Sequence, residues 1–141
     1  MDIDDFKKRF NTPYTEPIVD REVLAPLMRT LEAHVFQHGY GYRYGGDEYV
    51  LLLINFRLDM AARLIHQLRR SLRGLRFRGI PEPITLSSGL CEITPQTFLT
   101  EREIEHKANI AKNFAKKNKD DVAAYAGDLF QESDLFIVKE E

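Results

Sequence analysis

Two strand-forming runs on either side of a Gly-Gly pair constrain the fold of this chain more than any other feature. The first run, Gly39–Tyr44, is rich in tyrosine, and the second, from Asp47 to Phe56, contains the apolar stretch Tyr49–Ile54. Glycine accepts the positive φ angles of tight turns, so Gly45-Gly46 predicts a β-hairpin with a type I′ or II′ turn. Because Tyr49–Ile54 is apolar on both faces, we expect this strand to lie in the middle of a sheet covered by helices.

Helical and strand patterns alternate along the rest of the chain. The predicted helices cover about Arg21–His38, Met60–Leu75 and a segment that begins at the capping box of Thr100 and Glu103. Further strands are predicted at Ile84–Ile93, Asp121–Ala126 and, as an edge strand or a surface segment, Leu135–Val138. This alternation predicts an α/β sandwich, in which helices flank a central mixed β-sheet.

Length and charge restrict the class of protein without selecting a function. The 141 residues suit a single domain, and the net charge of -2 argues against a general nucleic-acid or membrane-surface binder. The single cysteine, Cys91, cannot form an internal disulfide, and the acidic N-terminus does not resemble a secretory signal. We therefore expect a cytoplasmic domain without membrane contact.

Two groups of acidic residues are candidates for a metal site. Asp47 and Glu48 stand at the predicted hairpin turn, and Asp2, Asp4 and Asp5 form a second group at the N-terminus. Either group could be a solvated acidic surface. If the two groups are adjacent, they form a site of oxygen ligands for a divalent cation, Mg²⁺ or Mn²⁺, since adjacent carboxylates repel one another unless a cation neutralises them.

Five short motifs give the chain a resemblance to the GGDEF domains of diguanylate cyclases. In chain order they are Asp2-Ile-Asp-Asp-Phe-Lys7, Asn11 with Asp20, Arg43-Tyr-Gly-Gly-Asp-Glu-Tyr49, Thr85-Leu-Ser-Ser-Gly89 and Ala115-Lys116. The resemblance implies a palm-type sandwich akin to nucleotidyl cyclases over residues 1–127, followed by a tail at 128–141. It also implies Mg²⁺-dependent condensation of two GTP molecules into cyclic di-GMP by a homodimer, with release of pyrophosphate.

The same resemblance assigns roles to individual residues. Asp2, the carbonyl of Ile3, Asp47 and Glu48 would hold Mg²⁺, and the last two would also be catalytic. The groups that would contact GTP are the Asp5–Phe6 backbone, Lys7, Lys116, the guanine-reading Asn11 and Asp20, and the side-chain-free Gly45 and Gly46.

The sequence departs from the family pattern in three places. Phe10 stands where the family has its asparagine, so Asn11 implies one inserted residue. The late basic motif is Lys119-Asp-Asp121, which puts one phosphate-binding cation in doubt. Only Met1 precedes Asp2, where the family has an apolar central strand. We therefore expect either a longer protein with further domains and the missing strand, or another segment in its place.

Two other functions are compatible with these motifs. One is a silent GGDEF module that binds GTP, or nothing, and serves as a regulatory or interaction domain. The other is a palm-type synthase of a different cyclic nucleotide. Many GGDEF domains carry an inhibitory Arg-x-x-Asp motif, but Phe36 and Gly39 occupy those positions here. We therefore expect no product inhibition through that site, although the arginines between Arg69 and Arg78 could provide another.

Overall fold

The computed structural model describes residues 1–140, which form a six-stranded sheet flanked by helices. The strands are β1 Asp2–Ile3, β2 Gly39–Gly45, β3 Glu48–Leu53, β4 Leu86–Leu90, β5 Val122–Tyr125 and β6 Leu135–Ile137. The α-helices are α1 Glu16–Val19, α2 Ala25–Val35, α3 Leu58–Arg73 and α4 Glu101–Lys116. Shorter helical turns are the π turns Lys7–Asn11 and Asp20–Leu24 and the 3-10 turn Glu132–Asp134. None of these helices combines the length and apolar content that a bilayer crossing requires.

The strands lie in the order β2-β3-β1-β4-β5-β6. Only β4 and β5 run parallel, and the other neighbouring pairs are antiparallel. This arrangement confirms the predicted mixed sheet of an α/β fold. The edge strand β6 pairs with β5, for example through Leu135 and Tyr125. The segment predicted as a tail therefore supplies one strand of the same sheet.

Helices cover the two faces of the sheet unequally. On one face, α2 and α3 bury Leu31 and Leu68 together with Ile3 of β1. On the other face, α4 places Ala111 and Ala115 against β5. Gly89 of β4 permits this close approach, since a Cβ atom at that position would lie 2.2 Å from the carbonyl oxygen of Ala108. The capping box of Thr100 and Glu103 opens α4 as predicted.

The helical region before β2 differs from the predicted helix at Arg21–His38. Helical turns begin at Glu16, and α2 ends at Val35. Pro26 lies in the first turn of α2, directly after the π turn Asp20–Leu24, so the residue without an N–H group stands where the helix changes from the π to the α hydrogen-bonding pattern. The helix ends early because Phe36 is extended and Gln37 has a φ of 65°.

The β2–β3 hairpin forms where it was predicted, but its turn is of another kind. Neither Gly45 nor Gly46 has a positive φ, so the predicted type I′ or II′ turn is wrong. The strand register shifts between Arg43 and Gly45, and the Arg43 guanidinium donates two hydrogen bonds, of 3.1 and 2.8 Å, to the Gly46 carbonyl. A bulge and an arginine thus close the turn.

The prediction that helices cover both faces of the apolar strand is wrong for β3. Leu31 of α2 packs against β2 at Gly41, but the side chain of Leu52 on β3 is 50% exposed. The uncovered face opens into a groove of about 990 Å³, whose lining includes Val50, Leu90 and Ile104.

The central strand β1 is much shorter than its two neighbours. It pairs with β3 through Asp2 and Glu48 and with β4 through Asp2 and Ser87. The Met1 amine donates a hydrogen bond of 2.8 Å to the Tyr49 carbonyl, and the Tyr49 N–H donates one to the Met1 carbonyl. Since hydrogen-bonding directions alternate along a strand, the next backbone groups on this side of β3 belong to Leu51, beyond the reach of β1.

A four-residue apolar extension placed before Met1, such as Val-Ile-Val-Ile, should stabilise the fold. The added residues would continue β1 between β3 and β4 and bury side chains in the open groove. Apolar burial exceeds the entropic cost of ordering the extension, so the free energy of unfolding should rise by about 2–3 kcal/mol. Thermal and denaturant melts should show an increase in Tm of about 6–9 °C.

An extension of Gly-Ser-Gly-Ser is the matched control and should leave Tm nearly unchanged in melts above pH 8, where the Met1 amine is largely neutral in both the folded and the unfolded chain. Burial, together with the nearby Lys112 charge, lowers the pKa of the Met1 amine from 8.0 to about 6. Between pH 8 and pH 6 the unfolded chain therefore binds a proton that the folded chain does not, and stability falls as the pH falls. Both extensions should remove this pH dependence, because neither extended chain has a free amine at Met1. Equal stabilisation by both extensions above pH 8 would contradict strand completion.

Candidate active site

The structure brings the two acidic groups together at one edge of β1. The Ile3 N–H donates a hydrogen bond of 3.0 Å to the Asp47 carbonyl, which holds the hairpin turn against the N-terminal strand. The side chains of Asp2 and Asp47 interact beside this contact, since each carboxyl group shifts the pKa of the other. Glu48 is opposite Asp2 in the strand register, but its side chain is 49% exposed. Asp2 and Asp47 therefore form the inner acid pair.

The two inner carboxyl groups have opposite pKa shifts. Burial and the neighbouring Asp2 carboxylate raise the pKa of Asp47 to about 6. Burial also opposes ionisation of Asp2, but the hydrogen bond from Asp47 and the contact with the Lys116 ammonium hold the pKa of Asp2 below its ordinary value. Near neutral pH both groups are largely ionised, and they repel each other.

A divalent cation fits this acid pair. When both groups are ionised, Oδ1 of Asp2 is buried without a hydrogen-bond partner, next to a second carboxylate. Within residues 1–140, no three acidic, histidine or cysteine side chains lie close enough together to hold a metal by themselves. An ion would therefore need further oxygen atoms, such as the Ile3 carbonyl, water or a ligand phosphate, which is how Mg²⁺ is commonly bound.

A basic cavity of about 410 Å³ lies beside the acid pair. Asp47, Ile3 and the segment Asp4–Lys8 form one part of its lining, together with Lys116 and Lys119. Lys119 also pairs with Asp5, at 2.6 Å between Nζ and Oδ2. A polyanion such as a triphosphate is the ligand that these lysines would attract. Lys8 was not predicted as a site residue, and Lys119 was left out because its motif, Lys119-Asp-Asp121, departs from the family pattern.

Asp4 connects the site to a second turn of the chain. It is 2% exposed, and its carboxylate accepts hydrogen bonds from the hydroxyls of Thr85 and Ser87, at 2.8 and 2.6 Å, and from the Asp120 N–H, at 2.8 Å. These bonds fix the turn that carries Lys119, whose φ is 58°. The sequence marked Asp4 only as a member of an acidic group, and the two hydroxyl residues within the Thr85–Gly89 motif were the available signal.

The remaining predicted site residues, Asn11, Asp20, Gly45 and Gly46, lie outside the lining of the basic cavity. Asn11 ends the π turn Lys7–Asn11 and is exposed, whereas Phe10 before it is fully buried. A π turn joins residues five positions apart by its hydrogen bond, where an α turn joins residues four apart, so it accommodates one inserted residue. Asp20 lies 4.0 Å from Arg43, which joins it to the hairpin turn. Gly45 and Gly46 face open space there. Neither Asn11 nor Asp20 lines the basic cavity.

Sequence comparisons identify relatives of this chain. A family model described as "Diguanylate cyclase, GGDEF domain" matches residues 1–121. Diguanylate cyclase DgcM of Escherichia coli (strain K12) is 38% identical over 90 residues, which are 64% of this chain and 21% of that protein. The uncharacterized protein YtrP of Bacillus subtilis (strain 168) is 27% identical over 118 residues, or 84% of this chain and 19% of that protein. The chain thus spans about a fifth of the length of both curated relatives.

Solved structures share the same fold. The active GGEEF domain of a diguanylate cyclase from Vibrio cholerae has a TM-score of 0.73 at 24% identity, over 89% of this chain and 80% of that one. Diguanylate cyclase SiaD of Pseudomonas aeruginosa, solved in complex with its activator SiaC, has a TM-score of 0.76 at 29% identity. That match covers 86% of this chain and 47% of SiaD. The mixed sheet and its helices are therefore the architecture of diguanylate cyclase structures.

Proposed function

The chain belongs to the GGDEF family of diguanylate cyclase domains, and from this premise we propose that it joins two GTP molecules into cyclic di-GMP and releases pyrophosphate. The observation that carries the proposal is the acid pair of Asp2 and Asp47 at the wall of the lysine-lined cavity. Phosphoryl transfer needs negative ligands for a metal and positive groups for phosphates at adjacent positions. This arrangement supplies both.

The triphosphate would bind in the basic cavity. Lys7 and Lys116 would contact the β- and γ-phosphates with the Asp5–Phe6 backbone, and Lys119 would join them by exchanging Asp5 for a phosphate oxygen. Lys116 already pairs with Asp2, so it spans the boundary between the acid pair and the phosphates. The β- and γ-phosphates would then lie among the lysines of the basic cavity, and the α-phosphate would lie near Asp2 and Asp47.

Asp2, Asp47, the Ile3 carbonyl and Glu48 are the residues that would hold Mg²⁺ or Mn²⁺. The buried free oxygen of Asp2 supports this assignment, and Glu48 could reach the ion from its half-exposed position. A bound divalent ion would neutralise charge at the α-phosphate and acidify the attacking hydroxyl.

Each transfer forms one bond and breaks another. The 3′-hydroxyl oxygen of one GTP bonds to the α-phosphorus of the other, and the bond from that phosphorus to the oxygen of pyrophosphate breaks. The hydroxyl proton must leave, and solvent water can accept it, because the ion that the acid pair would hold lowers the pKa of this hydroxyl. Because each chain would hold one GTP, the two transfers require a homodimer with its sites face to face.

Specificity for guanine would come from Asn11 and Asp20. A carboxylate can accept hydrogen bonds from the guanine N1–H and amino group, and an amide can donate to its ring acceptors. The pairing of Asp20 with Arg43 places this carboxylate beside the glycine turn, where the backbone leaves room for a nucleotide. We further propose that the domain works in the cytoplasm, with additional domains in the full-length protein.

Incubation of the purified chain with GTP or ATP and Mg²⁺ tests the proposal when products are identified by mass. Cyclic di-GMP from GTP, and no product from ATP, is the expected result. GTP binding without product would instead identify a silent module, and a different cyclic nucleotide would identify a related synthase.

Product should not bind tightly at the positions of the family's inhibitory motif. Phe36 and Gly39 offer neither a guanidinium nor a carboxylate, and Gly39 cannot be replaced without a collision, since a Cβ there would lie 1.8 Å from the Leu52 carbonyl oxygen. Arg69 and Arg73 are already paired with Asp120. Calorimetric titration of cyclic di-GMP should detect no micromolar site, and such a site that disappears in Phe36→Ala would contradict this expectation.

A further inference from the structure

Helix α4 presents a second lysine to the acidic site, in addition to Lys116. The Nζ atom of Lys112 lies 3.8 Å from Oδ2 of Asp2 and 4.0 Å from Oε1 of Glu48. Lys112 and Lys116 are one helical turn apart, so both reach the same face of the sheet. The Lys112 side chain is only 12% exposed, which distinguishes it from a solvated surface lysine.

The backbone holds Lys112 in this position. A Cβ atom on Gly89 would lie 2.3 Å from the Lys112 backbone nitrogen, so α4 contacts β4 directly at this residue. The ammonium lies between Asp2 of β1 and Glu48 of β3, within ion-pair distance of both carboxylates. A lysine between two carboxylates neutralises part of their charge.

The charges of the site limit how many metal ions it can accept. Asp2, Asp47 and Glu48 carry three negative charges, and Lys112 and Lys116 carry two positive ones. Before any ligand binds, the remaining charge is about one negative unit, which one divalent ion more than neutralises. A second divalent ion would have to bind beside the Lys112 ammonium.

We propose that Lys112 is a built-in counter-ion that takes the place of a second divalent ion in the nucleotide-free site, so that each chain without bound nucleotide binds a single divalent ion. The inference rests on the proposed function for the identity of the ligand, but its evidence is the placement of Lys112. Removal of the charge should strengthen binding of the remaining ion, because a unit charge several ångströms from a divalent ion repels it appreciably even through water.

Titration of the nucleotide-free protein with Mn²⁺, followed by the electron paramagnetic resonance signal of free Mn²⁺, tests this role. The wild-type chain should bind one Mn²⁺, and Lys112→Met should bind Mn²⁺ about tenfold more tightly. Lys112→Arg keeps the charge and should retain the wild-type affinity. Lys117→Met is the matched control, since Lys117 is on the same helical end but contacts the Phe114 ring, 5.1 Å from its centre.

Circular dichroism should show that each variant is folded, and Lys112→Gln provides a second neutral variant if Lys112→Met is not. Unchanged Mn²⁺ affinity in the folded neutral variant, two Mn²⁺ ions per wild-type chain, or no Mn²⁺ binding by either protein would overturn the inference. A separate GTP assay distinguishes the two proposals. If the wild-type chain forms product and the neutral Lys112 variant has unchanged Mn²⁺ affinity, only the proposed role of Lys112 is contradicted. If the variant binds Mn²⁺ more tightly and the wild-type chain forms no product, only the proposed cyclase function is contradicted.

Discussion

Replacing Asp47 by asparagine should reduce cyclic di-GMP formation by about a thousandfold or more, equivalent to roughly 4 kcal/mol of transition-state stabilisation, and leave the protein folded. Asparagine keeps the shape of the side chain but removes the charge that faces Asp2 and would hold the divalent ion. The folded state should be at least as stable as wild type, because the variant also removes repulsion between two adjacent carboxylates. Product formation and thermal melts of the same preparation measure the two effects.

Two further variants make the comparison specific. Glu105→Gln removes a charge from an exposed position of α4 and should leave the rate unchanged. Glu48→Ala should also lose activity, by a smaller factor, since Glu48 is half exposed. An Asp47→Asn protein that forms product at the wild-type rate would exclude Asp47 from the reaction. Loss of activity together with unfolding would show that the acid pair is structural.

The features predicted correctly from the sequence are those that depend on neighbouring residues. The capping box requires only Thr100 and Glu103, three positions apart, and it forms as expected. The hairpin position follows from two strand-forming runs around Gly45-Gly46. The meeting of Asp2 with Asp47 is not local, and it was anticipated only because the motifs occur in a recognised family order.

The errors arose where long-range contacts determine the local conformation. The pattern around Asp20–Leu24 is helical, but nothing in it specifies a π turn, in which Val23 and Leu24 are buried. The apolar residues of β3 suggested complete burial, whereas its coverage depends on how far β1 extends beside it. The turn at Gly45 is closed by a hydrogen bond from the Arg43 side chain, and residue preferences for turn types do not take such a side-chain bond into account.

The role of Asp4 in the site also depends on long-range contacts that its neighbouring residues do not reveal. Its three donors come from the strand region around Thr85–Ser87 and from the turn at Asp120, more than 80 positions away in sequence. Side chains of Arg69 and Arg73 hold Asp120 from the other side, through contacts of 3.1 and 3.2 Å. The Lys119 turn is thus clamped between a buried carboxylate and α3.

Asp4→Ala should destabilise the protein by about 3–5 kcal/mol, because it leaves two hydroxyls and one backbone N–H without their acceptor in a buried place. Denaturant unfolding would measure the loss. Asp4→Asn should cost much less, roughly 1 kcal/mol, since its carbonyl can still accept two of the bonds and the Ser87 hydroxyl can rotate to accept from the amide.

The exposed Asp59 provides the matched control, and Asp59→Ala should change the free energy of unfolding by less than about 1 kcal/mol. If Asp4 acts by holding the Lys119 turn, Asp4→Asn should also weaken GTP binding less than Asp4→Ala does. Equal effects of Asp4→Ala and Asp59→Ala on stability would mean that Asp4 is not the anchor of this turn. The pairing of Arg69 and Arg73 with Asp120 would then be the remaining side-chain restraint on this turn beside the basic cavity, and Arg69→Met would be the variant to test it.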